Sequence, residues 1–111
     1  MQRFCLTLDL RADPELIAEY VAHHRVVSME IRQSIRDAGI IDMQIFLLGN
    51  RLFMIMDTTE DFTLEAKAAM DRSNPAVLEW EQLMAKYQDV PANGDLTSKW
   101  QVMDKVFQLD A

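Results

Sequence analysis

One cysteine, Cys5, is too few for a disulfide within the chain, so the fold must hold by burial rather than by covalent staples. Only two histidines are present, adjacent at His23 and His24, and no CxxC spacing accompanies them. They leave no set from which to build a zinc site, and no metal is expected. Basic residues are also scarce: 11 Lys and Arg face 18 Asp and Glu, a net charge of −7. That balance disfavours nucleic acid, because affinity for phosphates rests on Lys and Arg. No apolar run approaches the ~18 residues of a membrane span, and no charged-then-apolar leader precedes a cleavage site. The expectation is a soluble protein of a reducing, cytoplasmic compartment with no membrane partner. With no internal repeat, low-complexity tract or linker, residues 1–111 read as a single domain. What the chain does have is apolar residues, half of the total, enough for a real core.

Taken in order, Phe4 to Leu10 alternates, with Phe4, Leu6, Leu8 and Leu10 on one side and Cys5, Thr7 and Asp9 on the other, which predicts a half-buried strand. Asp13-Pro14-Glu15 offers a helix cap, a proline suited to the first turn and an acid where the helix dipole favours one. Gly39 offers a left-handed terminus, so a helix is expected between them. Its centre, Arg25-Val26-Val27-Ser28, is poor in strong helix formers and is the place for an irregular turn. Ile40 to Leu48 and Leu52 to Thr58 flank the turn Gly49-Asn50-Arg51 and read as a β-hairpin. Phe62 to Arg72 and Pro75 to about Tyr87 read as two helices divided by Ser73-Asn74. Pro91 to Asp95 is turn chemistry within a loop, Pro91 to Ser98, long enough for a lid or an arm. Trp100 to Leu109 resumes alternation as a fourth strand. The order predicts an α+β fold on the ferredoxin-like split βαβ plan, an antiparallel sheet with helices on one face.

The run Leu52-Phe53-Met54-Ile55-Met56 is apolar on both faces, unlike a strand with one face in water. Helices cover one side of the sheet. The simplest cover for the other is a second copy of the same sheet, so a homodimer is expected.

Chemistry concentrates in Tyr20-Val21-Ala22-His23-His24. In a helix Tyr20 and His24, at i and i+4, meet on one face, which Ile17, Val27, Ile31 and Ile35 continue at spacings of three and four. A phenol and an imidazole held at the lip of a core can relay protons near neutral pH, since an unperturbed His titrates near ~6.5. The same spacing also describes a core histidine beside a buried tyrosine, and spacing alone does not choose. His23 lies one step off this face and is expected to be exposed. Glu30 is six residues from His24, about 120° around an ideal helix, and turns inward only if the helix breaks near Val26. On the last helix Val77, Trp80, Met84 and Tyr87 share a face with Glu79, Glu81 and Gln82 off it, so Trp80 is either a core anchor or a pocket wall.

Taken together, Glu19-Tyr20-Val21-Ala22-His23-His24, Glu30, Gly39, Ile45-Phe46-Leu47, Trp80 with Met84, Asp89-Val90-Pro91-Ala92-Asn93 and Val106-Phe107-Gln108-Leu109 resemble the L-rhamnose mutarotase family in register over nearly the whole chain. The resemblance implies a dimeric α/β-barrel type of ferredoxin-like fold and an isomerase of carbohydrate metabolism that interconverts the α and β anomers of a 6-deoxy sugar without a cofactor. It places the catalytic histidine at His24, a substrate-binding tyrosine at Tyr20 and a pocket tryptophan at Trp80. Three positions depart from the pattern: Glu81 stands where a second tryptophan is expected, Met43 where a tyrosine is, and Ser28 where a tryptophan is. The acid/base pair is kept while the lining at Glu81 and Met43 has changed, which favours a related sugar, L-fucose first, over L-rhamnose. Tyr20, Trp80, Glu30, Met43 and Glu81 are the expected substrate-binding residues, with His24 the principal acid/base. A cofactor-free monooxygenase of the same topology and a non-catalytic dimeric binding module are the alternatives.

Overall fold

The structure is a computed structural model that describes residues 1–90 and 99–110. The elements are β1 (Gln2–Asp9), α1 (Pro14–His23), α2 (Met29–Asp37), β2 (Ile40–Leu48), β3 (Arg51–Thr58), α3 (Leu64–Arg72), α4 (Pro75–Ala85) and β4 (Gln101–Val102). The sheet order is β2-β3-β1-β4 with every neighbour antiparallel, the arrangement of a split βαβ fold in which β3 lies between β1 and β2. The expected α+β architecture is therefore present.

Each helix starts on a side chain that accepts from its first free amides. Asp13 Oδ1 accepts from Glu15 N at 2.9 Å, Ser28 Oγ from Ile31 N at 3.3 Å, Thr63 Oγ1 from Ala66 N at 3.1 Å, and Asn74 Oδ1 from Ala76 N at 3.1 Å. Such a cap contributes about 1 kcal/mol. Ser28, one of the departures from the family pattern, thus has a structural role as the cap of α2.

The hairpin turn is tighter than its composition predicts. Leu48 pairs with Arg51, leaving Gly49-Asn50 as a two-residue loop, with Gly49 at φ +61°. Gly39, at φ +99°, joins α2 to β2 where a Cβ would lie 2.8 Å from Thr59 Oγ1, so both the backbone and the space require glycine.

The core lies between the sheet and the helices. Leu6, Met54, Met56, Ile40 and Phe62 form one cluster; Leu10, Tyr20, Leu52, Met84 and Tyr87 form the other, and Trp100 packs against both. Truncating a side chain as buried as Leu52 costs about 2–5 kcal/mol, part transfer and part cavity. On β3 the burial alternates, Leu52, Met54, Met56 and Thr58 facing the helices and Phe53, Ile55 and Asp57 half-buried on the outer face.

Three expectations need correction. The helix from Asp13 to Gly39 is two helices, broken at residues 24–28, where β-branched Val26 and Val27 precede a serine that caps better than it continues. The helices expected to begin at Phe62 and to reach Tyr87 are α3 and α4, which start after the Thr63 cap and stop at Ala85. The fourth strand, expected over Trp100 to Leu109, is only Gln101–Val102, paired with Thr7 and Leu6 and followed by one further bond, Met103 N to Cys5 O at 2.8 Å. Alternation records which faces suit a sheet, not whether a partner strand lies alongside. From Gln101 to Asp110 every residue is exposed. The loop Pro91 to Ser98 lies outside the described residues.

Candidate active site

The helix break builds the site. At the end of α1 the amide of His24 bonds back to Val21 O at 3.1 Å and that of Arg25 to Ala22 O at 3.2 Å, a tightened last turn that leaves the carbonyl of Tyr20 without its usual backbone donor. The His24 imidazole takes that place: Nδ1 lies 2.8 Å from Tyr20 O. A carbonyl only accepts, so Nδ1 carries the proton and Nε2 is left with a lone pair. Helix termination thereby sets the tautomer of the one half-buried histidine on the cavity.

The rings around it fix its direction. The phenol of Tyr20 lies 4.3 Å from the imidazole, centroid to centroid, at 37°, and Trp80 meets the imidazole edge-on at 5.3 Å and 72°. Burial pushes the His24 pKa below the ordinary imidazole value, with the neighbouring His23 adding to the effect and the bond to Tyr20 opposing it. The imidazole is therefore neutral at pH 7. Burial pushes the Tyr20 phenol far up, and Glu81 adds to this, so the phenol keeps its proton and serves as a hydrogen-bond donor rather than a base.

These side chains line a cavity of about 720 Å³ between the sheet and the helices. One wall is apolar, with Leu6, Met54, Met56, Val77, Met84 and Trp100; the volume is within the usual range for small-molecule sites and ample for a monosaccharide. The other wall is polar. Lys99 Nζ lies 3.0 Å from Glu81 Oε2 and donates to Glu81 O at 3.2 Å, while Lys67 Nζ lies 2.5 Å from Asp71 Oδ2. The Lys99 side chain is only 3% exposed, so Glu81 is its necessary counter-charge. Burial nonetheless holds the Glu81 carboxyl above its ordinary pKa, with Lys99 and Lys67 pulling the other way.

Of the expected site residues, His24, Tyr20, Trp80, Met43 and Glu81 all line this cavity. Glu30 does not: it lies in the first turn of α2, exposed, where an acid complements the helix dipole. The break at Val26 occurs, but it restarts the chain with Glu30 outward. Glu81, expected off the apolar face of its helix, turns into the cavity because Lys99 meets it there. His23, expected to be exposed, is half-buried, its Nε2 3.1 Å from the Tyr87 hydroxyl, and is not part of the cavity lining. Sequence reasoning did not single out Lys99, the Lys67–Asp71 pair or Gln88 as lining residues. Gln88 follows the end of α4 and Lys99 precedes β4, where no periodicity marks an inward side.

Comparison with known proteins identifies the class. The L-rhamnose mutarotase family matches residues 3–109. An L-fucose mutarotase of Xanthomonas campestris pv. campestris is 39% identical over 111 residues, covering 98% of this chain and 89% of the relative. A UPF0734 protein of Dictyostelium discoideum is 38% identical over 112 residues, covering 96% and 89%. Among solved structures, the L-rhamnose mutarotase FA22100 of Formosa agariphila superposes with a TM-score of 0.74 at 20% identity, covering 99% of this chain and all of that one. Tetracenomycin F2 cyclase of Streptomyces glaucescens, a type-II polyketide cyclase, gives 0.58 at 16%, covering 97% and 98%. These last two likenesses are of fold. The chain belongs to the L-rhamnose mutarotase family. It is an isomerase of the kind that interconverts sugar anomers.

Proposed function

We propose that this protein is a mutarotase of a 6-deoxy sugar, L-fucose in preference to L-rhamnose, with His24 as its acid/base. The observation that carries the reading is the Nδ1 contact of His24 with the Tyr20 carbonyl, which leaves Nε2 as the basic atom on a sugar-sized cavity. Mutarotation opens a hemiacetal and closes it on the other face. Nε2 takes the proton of the anomeric hydroxyl as the bond from the anomeric carbon to the ring oxygen breaks. The imidazolium delivers that proton to the ring oxygen, which was bonded to the same carbon and so lies within the same reach. After the aldehyde rotates, the steps reverse and the other anomer closes. The Tyr20 phenol orients the sugar through a hydrogen bond, and Trp80 offers a face for the C–H side of the ring.

The preference for L-fucose rests on Glu81 and Met43. An aromatic ring grips the apolar face of a sugar, whereas a carboxylate grips a hydroxyl, and sugars differing in the direction of one hydroxyl need different grips. The likeness to the Xanthomonas campestris L-fucose mutarotase supports the same choice. Exchange NMR of the anomeric protons tests it: native protein should accelerate exchange of L-fucose more than that of L-rhamnose, and the reverse order sinks the assignment.

The enzyme works as a homodimer in this reading, in a reducing cytoplasm and without a nucleic-acid partner. The support is the outer sheet face, where Phe46, Phe53, Ile55 and Cys5 neighbour one another across strands and Phe46 is 54% exposed. Val106 and Phe107 of the C-terminal segment add further apolar surface at 94% and 73%. Surface of that kind marks an interface. Sedimentation equilibrium should give twice the chain mass, and a monomer at micromolar concentration would contradict it. Among the described residues no helix is long and apolar enough to cross a membrane.

A further inference from the structure

Gln88 is 2% exposed and lines the cavity, and its side-chain oxygen Oε1 is buried with no hydrogen-bond partner among the described residues. Buried polar atoms are nearly always paired, so an orphaned carbonyl oxygen on a cavity wall calls for a donor from whatever fills the cavity. Gln88 also has a fixed root. It forms an antiparallel bridge with Leu10, flanked by Arg11 N to Tyr87 O at 2.9 Å and Asp89 N to Asp9 O at 2.9 Å, so its backbone is strapped to the end of β1. Tyr20 lines the same cavity, and Gln88 acts to lower the pKa of its phenol against the larger upward push of burial. The backbone is thus fixed while the side-chain oxygen stays unclaimed. A glutamine oxygen accepts and never donates, and a sugar offers hydroxyl donors on successive carbons.

We infer that Gln88 is a specificity residue, its Oε1 accepting a hydrogen bond from one non-anomeric hydroxyl of the sugar beside the Tyr20–His24 pair. The inference rests on the mutarotase reading and adds to it a reader of hydroxyl position separate from Glu81, which lies on the Lys99 side. Because Gln88 neither gives nor takes the transferred proton, its loss acts on recognition and leaves the pH profile where it is. A site built around a substrate hydroxyl discriminates strongly against an analogue lacking it, because the site's polar group is then left buried and unpaired.

The test measures anomer exchange of L-fucose and its 2-, 3- and 4-deoxy analogues by NMR, with native protein and with Gln88→Met, an apolar side chain of similar length. One deoxy analogue should lose about 10-fold or more in kcat/KM on native protein. On Gln88→Met the parent sugar should fall by a similar factor, chiefly through KM, and the preference for parent over that analogue should shrink to within about 3-fold, with an unchanged acid limb. Thermal melting checks the fold, and Gln88→Asn, one methylene shorter, replaces Gln88→Met if the latter does not fold. A flat deoxy series on native protein, or a variant that keeps the native discrimination, overturns the role of Gln88 while leaving the mutarotase standing. A native protein that accelerates no sugar overturns both.

Discussion

The carbonyl of Tyr20 and the Nδ1 of His24 lie 2.8 Å apart, one helical turn from backbone to ring. That contact exists because α1 ends at His23, and it converts a helix terminus into a device that fixes a tautomer. A histidine deeper in a continuous helix would find the same carbonyl already bonded to its own amide.

The lowered pKa of His24 sets a pH dependence with a definite sign. The imidazole must be neutral to take the anomeric proton, so the acid limb of kcat/KM should fall below the ordinary value near ~6.5 rather than at it. For stability the folded pKa is depressed relative to the unfolded one. The contribution is full above about pH 6.5 and is lost as pH falls through the folded value. Titration of the ring protons by NMR and a melting series through this range check both, and an acid limb above pH 7 contradicts the assignment.

Tyr20→Phe keeps the ring against His24 and removes only the hydroxyl. Its kcat/KM should fall about 10-fold with the acid limb unmoved, because the lost group orients rather than titrates. Stability should change by no more than about 1 kcal/mol, because the buried ring is kept. Equilibrium denaturation of the folded variant separates the two effects.

Glu81→Gln removes the counter-charge of Lys99, whose side chain is almost fully enclosed. Breaking a buried pair from one side costs about 3–5 kcal/mol, and the surviving bond from Lys99 to the Glu81 carbonyl points to the lower end. Urea denaturation should show this loss, and removing both charges with Glu81→Gln and Lys99→Met together should recover a large part of it. A single variant as stable as native would mean that the pair is solvated.

Much of this arrangement was legible in the chain. Asp13, Asn74, Gly39 and Gly49 announce their caps and turns by residue type, since few other side chains satisfy those backbones. The i, i+4 spacing of Tyr20 and His24 placed the two rings together, and the weak helix formers at 25–28 marked the break. What the break does was not legible, because it depends on which carbonyl the tightened turn leaves free. Glu30 misled for the same reason: a broken helix restarts in a new direction, and helical angles do not carry across it. Glu81 and Lys99 found each other across 18 residues through charge in an enclosed space, a relation no periodicity contains.

In the proposed mechanism the Nε2 of His24 moves the anomeric proton. Anomeric exchange of L-fucose, corrected for the spontaneous rate, measures it most directly when native protein is compared with folded His24→Ala. The variant should keep its fold and lose about 10²- to 10⁴-fold of the acceleration. A variant that exchanges the anomers as fast as native protein would contradict it.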